Sequence, residues 1–221
     1  MEKPSFFRRN GLSLVLLFLT LLTLYGNVRT GWHELNDELL DHGRPALPFG
    51  RYLTSGHCIE AVFENWESEF LQMALYVWLT VYLVQKGSKE SNSLEGDDEN
   101  RREPDPTKPD APWPVKRGGW VLKLYENSLT LAFLTLFLLS FVLHAFGGTK
   151  QYNLEQELLG KSERLTVPQF LGTSQFWFQS LQNWQSEFLS VLAIVVLTIF
   201  LRQRGSPESK PVDAADGETG G

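Results

Sequence analysis

Residues 65–71 read Asn65-Trp66-Glu67-Ser68-Glu69-Phe70-Leu71, and residues 183–189 read Asn183-Trp184-Gln185-Ser186-Glu187-Phe188-Leu189. The likeness continues through an apolar run and past it. Gln85-Lys86-Gly87-Ser88 returns as Gln203-Arg204-Gly205-Ser206, and Glu90-Ser91 as Glu208-Ser209. Over 65–91 against 183–209, 15 of 27 positions are identical. Shared membrane composition alone does not give that match, so the spacing predicts an internal duplication. Upstream, Asn10-Gly11-Leu12-Ser13-Leu14 aligns with Asn127-Ser128-Leu129-Thr130-Leu131, one residue out of step. The connecting loop therefore carries a small length change.

Working outward, each copy holds two apolar runs. Residues 11–28 and 128–146 are free of Asp, Glu, Lys and Arg, and each is long enough for a crossing of about 27 Å at 1.5 Å per residue. Residues 70–85 and 188–201 are also free of these charges but shorter. Both follow aromatic stretches: Phe63 and Trp66 before one; Phe176, Trp177, Phe178 and Trp184 before the other. Aromatic side chains favour the membrane boundary, so each short run reads as a helix that starts in the interface and then crosses. The expected fold is all-α: a polytopic membrane protein with four transmembrane helices from two parallel two-helix repeats, because two crossings per unit leave both copies facing the same way. The expected organisation is a first repeat at 1–88, a disordered linker at 89–119, a second repeat at 120–206 and a disordered tail at 207–221. The linker is polar and rich in proline, too poor in apolar surface to fold alone. Within it, residues 113–120 read as an interfacial anchor. The loops between paired crossings are expected to form short interfacial helices, as at 32–40 and 153–159.

Lysine and arginine set the orientation. The N-terminal segment, the linker and the tail hold 14 of the 20, and the two remaining loops hold 6. That bias predicts both termini and the linker in the cytoplasm. Arg8-Arg9 before an apolar run resembles a signal peptide, but the matching run lies mid-chain and no small-x-small site follows Val28. The bulk figures alone would mislead: the mean hydropathy is −0.17 because very polar and very apolar segments average out. A net charge of −6 argues against nucleic acid as a partner. Expected partners are the lipid bilayer and other membrane proteins or a second copy.

The candidate site is the duplicated segment: Asn65, Trp66, Glu69, Asn183, Trp184 and Glu187. Ionisable groups at membrane depth point to function, and two matched carboxylates suit a cation or a relayed proton. The competing reading makes Glu69 and Glu187 first-turn acids favoured by the helix dipole, with the tryptophans as anchors. Asn65 and Asn183 share a face with the glutamates four residues on. Glu67 is the weaker candidate, because Gln185 replaces it. His33, His42 and His57 share a loop with Glu34, Asp37, Asp41 and Glu60, but the second copy lacks histidine there, so the loop reads as solvated. His144 reads as an interfacial hydrogen-bonding group. The lone Cys58 excludes an internal disulfide and has no activating neighbour in sequence. No metal, cofactor or catalytic constellation is expected, and the chain reads as no enzyme.

The duplicated Asn-Trp-[Glu/Gln]-Ser-Glu-Phe-Leu, the stretch DAPWPVKRGGWVLKLYENSL at 110–129 and RQRGSPESKP at 202–211 resemble a family of bacterial integral-membrane proteins of unknown function. The resemblance covers essentially the whole chain. It implies a bacterial cytoplasmic membrane and the four-helix layout, and it brings no activity. The function expected is a binding or scaffolding component of the cell envelope; the alternative is a small ion- or proton-coupled transporter or channel using Glu69 and Glu187.

Overall fold

The structure, a computed structural model, describes residues 5–94 and 99–220. Lys3 of the N-terminal charge cluster, residues 95–98 of the expected linker and Gly221 of the tail lie outside them. The described residues form helices and no strand. In order these are α1 (Phe6–Asp41), α2 (Phe49–Tyr52), α3 (Gly56–Tyr82), a 3-10 turn (Glu99–Arg101), α4 (Trp113–Arg117), α5 (Gly119–Glu126), α6 (Ser128–Leu158), α7 (Val167–Phe170) and α8 (Ser174–Phe200).

Three helices are long and apolar enough to cross a membrane: α1, α6 and α8. Each contains one of the apolar runs expected to cross. α3 matches the 27 residues of α8 but carries Glu60, Glu64, Glu67 and Glu69 in its first half, and each charge weighs heavily against insertion. The stretches 32–40 and 153–159 are helical as expected up to Leu158, yet they are not separate interfacial helices. They are the far ends of α1 and α6, whose hydrogen-bond ladders run on from the apolar runs.

The chain divides into two compact units, 1–64 with 141–177 and 65–140 with 178–221. The first holds two small cores. One gathers Leu35, Leu39, Tyr52 and Cys58, the other Ala145, Phe170 and Phe176. Each is closed by an asparagine that grips a returning loop. Asn36 Oδ1 accepts from Leu47 N at 2.6 Å while its Nδ2 donates to Leu47 O at 3.2 Å. Asn153 does the same to Leu165, at 2.8 and 2.9 Å. A loop backbone paired this way needs no sheet to satisfy it. Each loop then delivers a short helix whose last residue is a fully buried ring, Tyr52 or Phe170, set against a helical glycine, Gly31 or Gly148. α3 and α6 meet backbone to backbone at Gly56 and Gly147: a Cβ on Gly147 would stand 2.5 Å from Glu60 N, and one on Gly56 would stand 2.8 Å from Gly147 O. Glu157 receives Arg44 at 2.7 Å and Arg164 at 3.0 Å on the surface.

In the second unit, α3 and α8 end in the same turn. Gln85 N donates to Ser91 Oγ at 2.9 Å, and Gln203 N to Ser209 Oγ at 2.8 Å. Gly87 and Gly205 take φ of 83° and 85°, a left-handed setting open to glycine. Residues 207–220, read from sequence as a disordered tail, fold back on these turns. Lys210 Nζ donates to the carbonyls of Ala215, Asp216 and Glu218 at 3.0–3.1 Å. Arg202 pairs with Asp216 at 3.0 Å. Gly220 N donates to Ser88 O at 2.9 Å, and Gly87 N to Thr219 Oγ1 at 2.8 Å. Through these bonds an apolar-poor segment takes partners from the turns that precede it. The beginning of the expected linker is tied similarly, with Asn92 Nδ2 donating to Thr80 O at 2.9 Å.

Candidate functional site

All six predicted site residues fall in the second unit. Their surroundings divide them. Asn65, Trp66 and Glu69 are exposed, whereas Asn183, Trp184 and Glu187 are half-buried. Glu187 lies within electrostatic reach of Glu69, so the matched carboxylates are neighbours in charge. Asn183 Nδ2 donates to Gln179 O at 3.1 Å, and the backbone carbonyl of Asn65 accepts from Ser68 Oγ at 2.7 Å.

The buried group is the one the sequence reading ranked lower. Glu67 is 0% exposed. Trp184 Nε1 donates to its Oε1 at 3.2 Å, and the Trp184 ring packs edge-on to Phe137 at 6.4 Å. One turn before Trp184 on the same face of α8, Ser180 is fully buried and its hydroxyl meets no partner among the described residues. α3 continues the polar interior with Ser68 and Gln72, both buried. A further turn on, Tyr76 donates to Glu90 Oε2 at 2.7 Å. Burial pushes the Glu90 carboxyl above the ordinary carboxylate range; the Tyr76 hydroxyl opposes this, and the charge of Glu208 adds to it. Tyr76, Thr80, Glu90, Asn92 and Asn100 line a pocket of about 360 Å³ beside this bond.

The family model for a domain of unknown function, DUF6766, matches residues 3–221. The chain belongs to that family. Membership assigns no chemistry, because the family description names none. No curated protein and no solved structure matches the chain. The functional reading therefore rests on the residues themselves.

The histidines of the first unit have defined neighbours. His57 Nδ1 stands 3.0 Å from the Tyr52 hydroxyl, and His57 Nε2 stands 4.0 Å from Glu34. His42 Nδ1 meets Glu38 O at 2.9 Å, at the end of α1. His33 lies tilted against Trp32 at 4.8 Å, and buried His144 stacks on Phe176 at 4.7 Å. Cys58 is buried in the core beside Tyr52, and a thiol buried in apolar surroundings is a poor nucleophile. Among the described residues, no three His, Cys, Asp or Glu side chains gather to hold a metal ion.

Sequence reasoning ranked Glu67 lower and missed Tyr76 and Glu90. Repeat matching demoted Glu67, since the matched position holds Gln185. It also contained the signal for Glu90, since Glu90-Ser91 returns as Glu208-Ser209. Tyr76 has Ile194 as its counterpart and left no mark in the repeat.

Proposed function

We propose that the protein is a four-span component of a bacterial cytoplasmic membrane that binds and relays a proton or small monovalent cation, with Glu67 as the central group and no catalytic chemistry of its own. The observation that carries this reading is the complete burial of Glu67 against Trp184. A carboxylate removed from water needs a proton, a cation or strong donors to offset its desolvation, and within a membrane such a group is rarely retained without use. Ser68, Gln72 and Tyr76 continue hydrogen-bonding capacity along α3, about 14 Å from Glu67 to Tyr76 at 1.5 Å per residue, and Tyr76 passes it to Glu90 beyond the helix. This is the transport alternative, moved from Glu69 and Glu187 to Glu67.

The fourth crossing is α3, and the two halves are duplicates set in parallel. Support comes from the paired features: two asparagine clamps, two glycine–ring contacts and two Gly-Ser turns. The lysine and arginine bias puts both ends in the cytoplasm; a reporter fused after Arg204 that works only outside the cytoplasm overturns that orientation.

Purified protein in liposomes under an imposed membrane potential is expected to acidify or alkalinise the lumen. Glu67→Gln abolishes the flux, while Glu69→Gln with Glu187→Gln leaves most of it. An inert wild type, or an active Glu67→Gln, overturns the reading. A second reading, scaffolding in the envelope, is favoured by α1, whose apolar stretch buries no side chain and leaves most of them exposed. It offers a whole helix face to a second copy or another membrane protein. Disulfide crosslinking through Leu16→Cys in a Cys58→Ala background tests that face; no crosslinked product sets it aside.

A further inference from the structure

α4 and α5 are joined at Gly118 and Gly119, whose φ of 69° and 64° is a setting open to glycine. Each short helix carries a tryptophan within its first two residues and leaves it in the open: Trp113 is 64% exposed and Trp120 70%. Around them stand the exposed cations Lys116, Arg117 and Lys123. The Arg117 guanidinium sits 5.6 Å from the Trp113 ring, and Lys116 Nζ donates to Pro109 O at 2.7 Å. Neither contact neutralises the charge. The flanking acids in sequence are Asp110 and Glu126, so residues 111–125 carry only positive charge. One residue, Asn127, separates α5 from the apolar start of α6, where Leu129 and Leu131 are also exposed.

Two open indoles beside three cations, at the threshold of an apolar helix, match the chemistry of a membrane boundary. Tryptophan prefers the headgroup level, lysine and arginine are drawn to anionic headgroups, and guanidinium grips phosphate in a forked geometry. We infer that α4–α5 is a binding site for anionic phospholipid, with Lys116, Arg117 and Lys123 on the headgroup phosphates and Trp113 and Trp120 in the boundary layer. This rests on the membrane reading above but not on the Glu67 relay. A zwitterionic headgroup carries its own cation and gains nothing net from the three positive charges. Each contact favours anionic over zwitterionic lipid by about fivefold.

The test uses the full chain in nanodiscs of equal phosphatidylglycerol and phosphatidylcholine, released into mild detergent, with retained lipids counted by native mass spectrometry. The wild type is expected to retain phosphatidylglycerol in several-fold excess. Lys116→Gln with Arg117→Gln and Lys123→Gln loses most of that excess; Lys123→Arg and the pair Arg8→Gln with Arg9→Gln keep it. An unchanged excess in the triple variant overturns the site, as does equal loss in the Arg8/Arg9 pair, which would assign the preference to diffuse charge. Excess inorganic phosphate that strips the lipid would assign a free-phosphate site instead and also overturn it. Release of the chain from membranes without detergent would instead overturn the membrane reading itself.

Discussion

α3 and α8 share Asn-Trp-x-Ser-Glu-Phe-Leu and use it differently. On α3 the segment turns Glu67 and Ser68 inward, and Gln72 follows them. On α8 the matched Gln185, Ser186 and Ser190 are exposed, and Trp184 turns in to meet Glu67. One copy supplies the buried carboxylate and the other supplies its donor. The first unit shows the same division. Tyr52 and Cys58 with the neighbouring His57 make a hydrogen-bonded core in the first copy, and Phe170, Phe176 and Gln175 occupy the matched positions in the second, where the rings pack edge to face at 5.7 Å. In both units the framework contacts are kept in duplicate and the polar interior is single. Matched segments compared only for identity therefore hide the positions where their surroundings differ.

The largest expected effect breaks the comparison at the helix crossing. Gly56→Ala places a methyl within 2.7 Å of Lys150 Cβ and 2.8 Å of Gly147 O, and backbone cannot yield as a side chain does. It should destabilise by about 2–3 kcal/mol, read as thermal unfolding of the detergent-purified chain. The matched Ser174 is exposed, so Ser174→Ala should stay within about 0.5 kcal/mol; equal losses would show that the crossing is not specific to the first copy. Next, Glu67→Ala strips the Trp184 indole of its acceptor and should lose about 2 kcal/mol, whereas Gln185→Ala on the exposed face should lose about 0.5 kcal/mol or less.

The asparagine clamps sharpen the comparison from the opposite side, because they are alike. Asn36→Ala and Asn153→Ala should each lose about 1–2 kcal/mol, in equal measure, and a large difference would mean that the two loops are held by different forces. The smallest effect concerns Glu90. Its carboxyl is raised by burial, so its contribution to stability is complete below the ordinary carboxylate value of about 4.3 and is lost as pH rises through the elevated one. Glu90→Gln should therefore gain stability over wild type as pH climbs from acid towards neutral, by a degree or two in Tm, and show no gain in acid. A pH-independent difference would place the Glu90 effect in packing instead.

Much of the framework is legible in the sequence. Helices at 11–28 and 128–146 follow from apolar runs free of charged residues, and α8 follows from the run at 188–201 with its aromatic approach. The repeat also locates the turn glycines Gly87 and Gly205. Less legible was that α1 and α6 run on without a break to Asp41 and Leu158, since polar residues stay helical once an extended helix is already nucleated. The contacts of residues 207–220 were hidden because their partners are backbone groups far along the chain, at Gly87 and Ser88. Of the site, the sequence reading reached Trp184 and the neighbourhood, and it chose Glu69 and Glu187 over Glu67.

That choice shows where the boundary lies. Apolar runs, charge bias and the duplicated Asn-Trp-x-Ser-Glu-Phe-Leu are local properties, and the sequence by itself determined from them a helical protein with membrane-spanning character. It also determined that Glu67 and Glu69 point to nearly opposite sides of α3, because two residues turn a helix by about 200°. Which side faces the interior is set by what packs against it. Only the tertiary structure, bringing Trp184 of the second copy onto Glu67 of the first, decided which carboxylate the fold encloses.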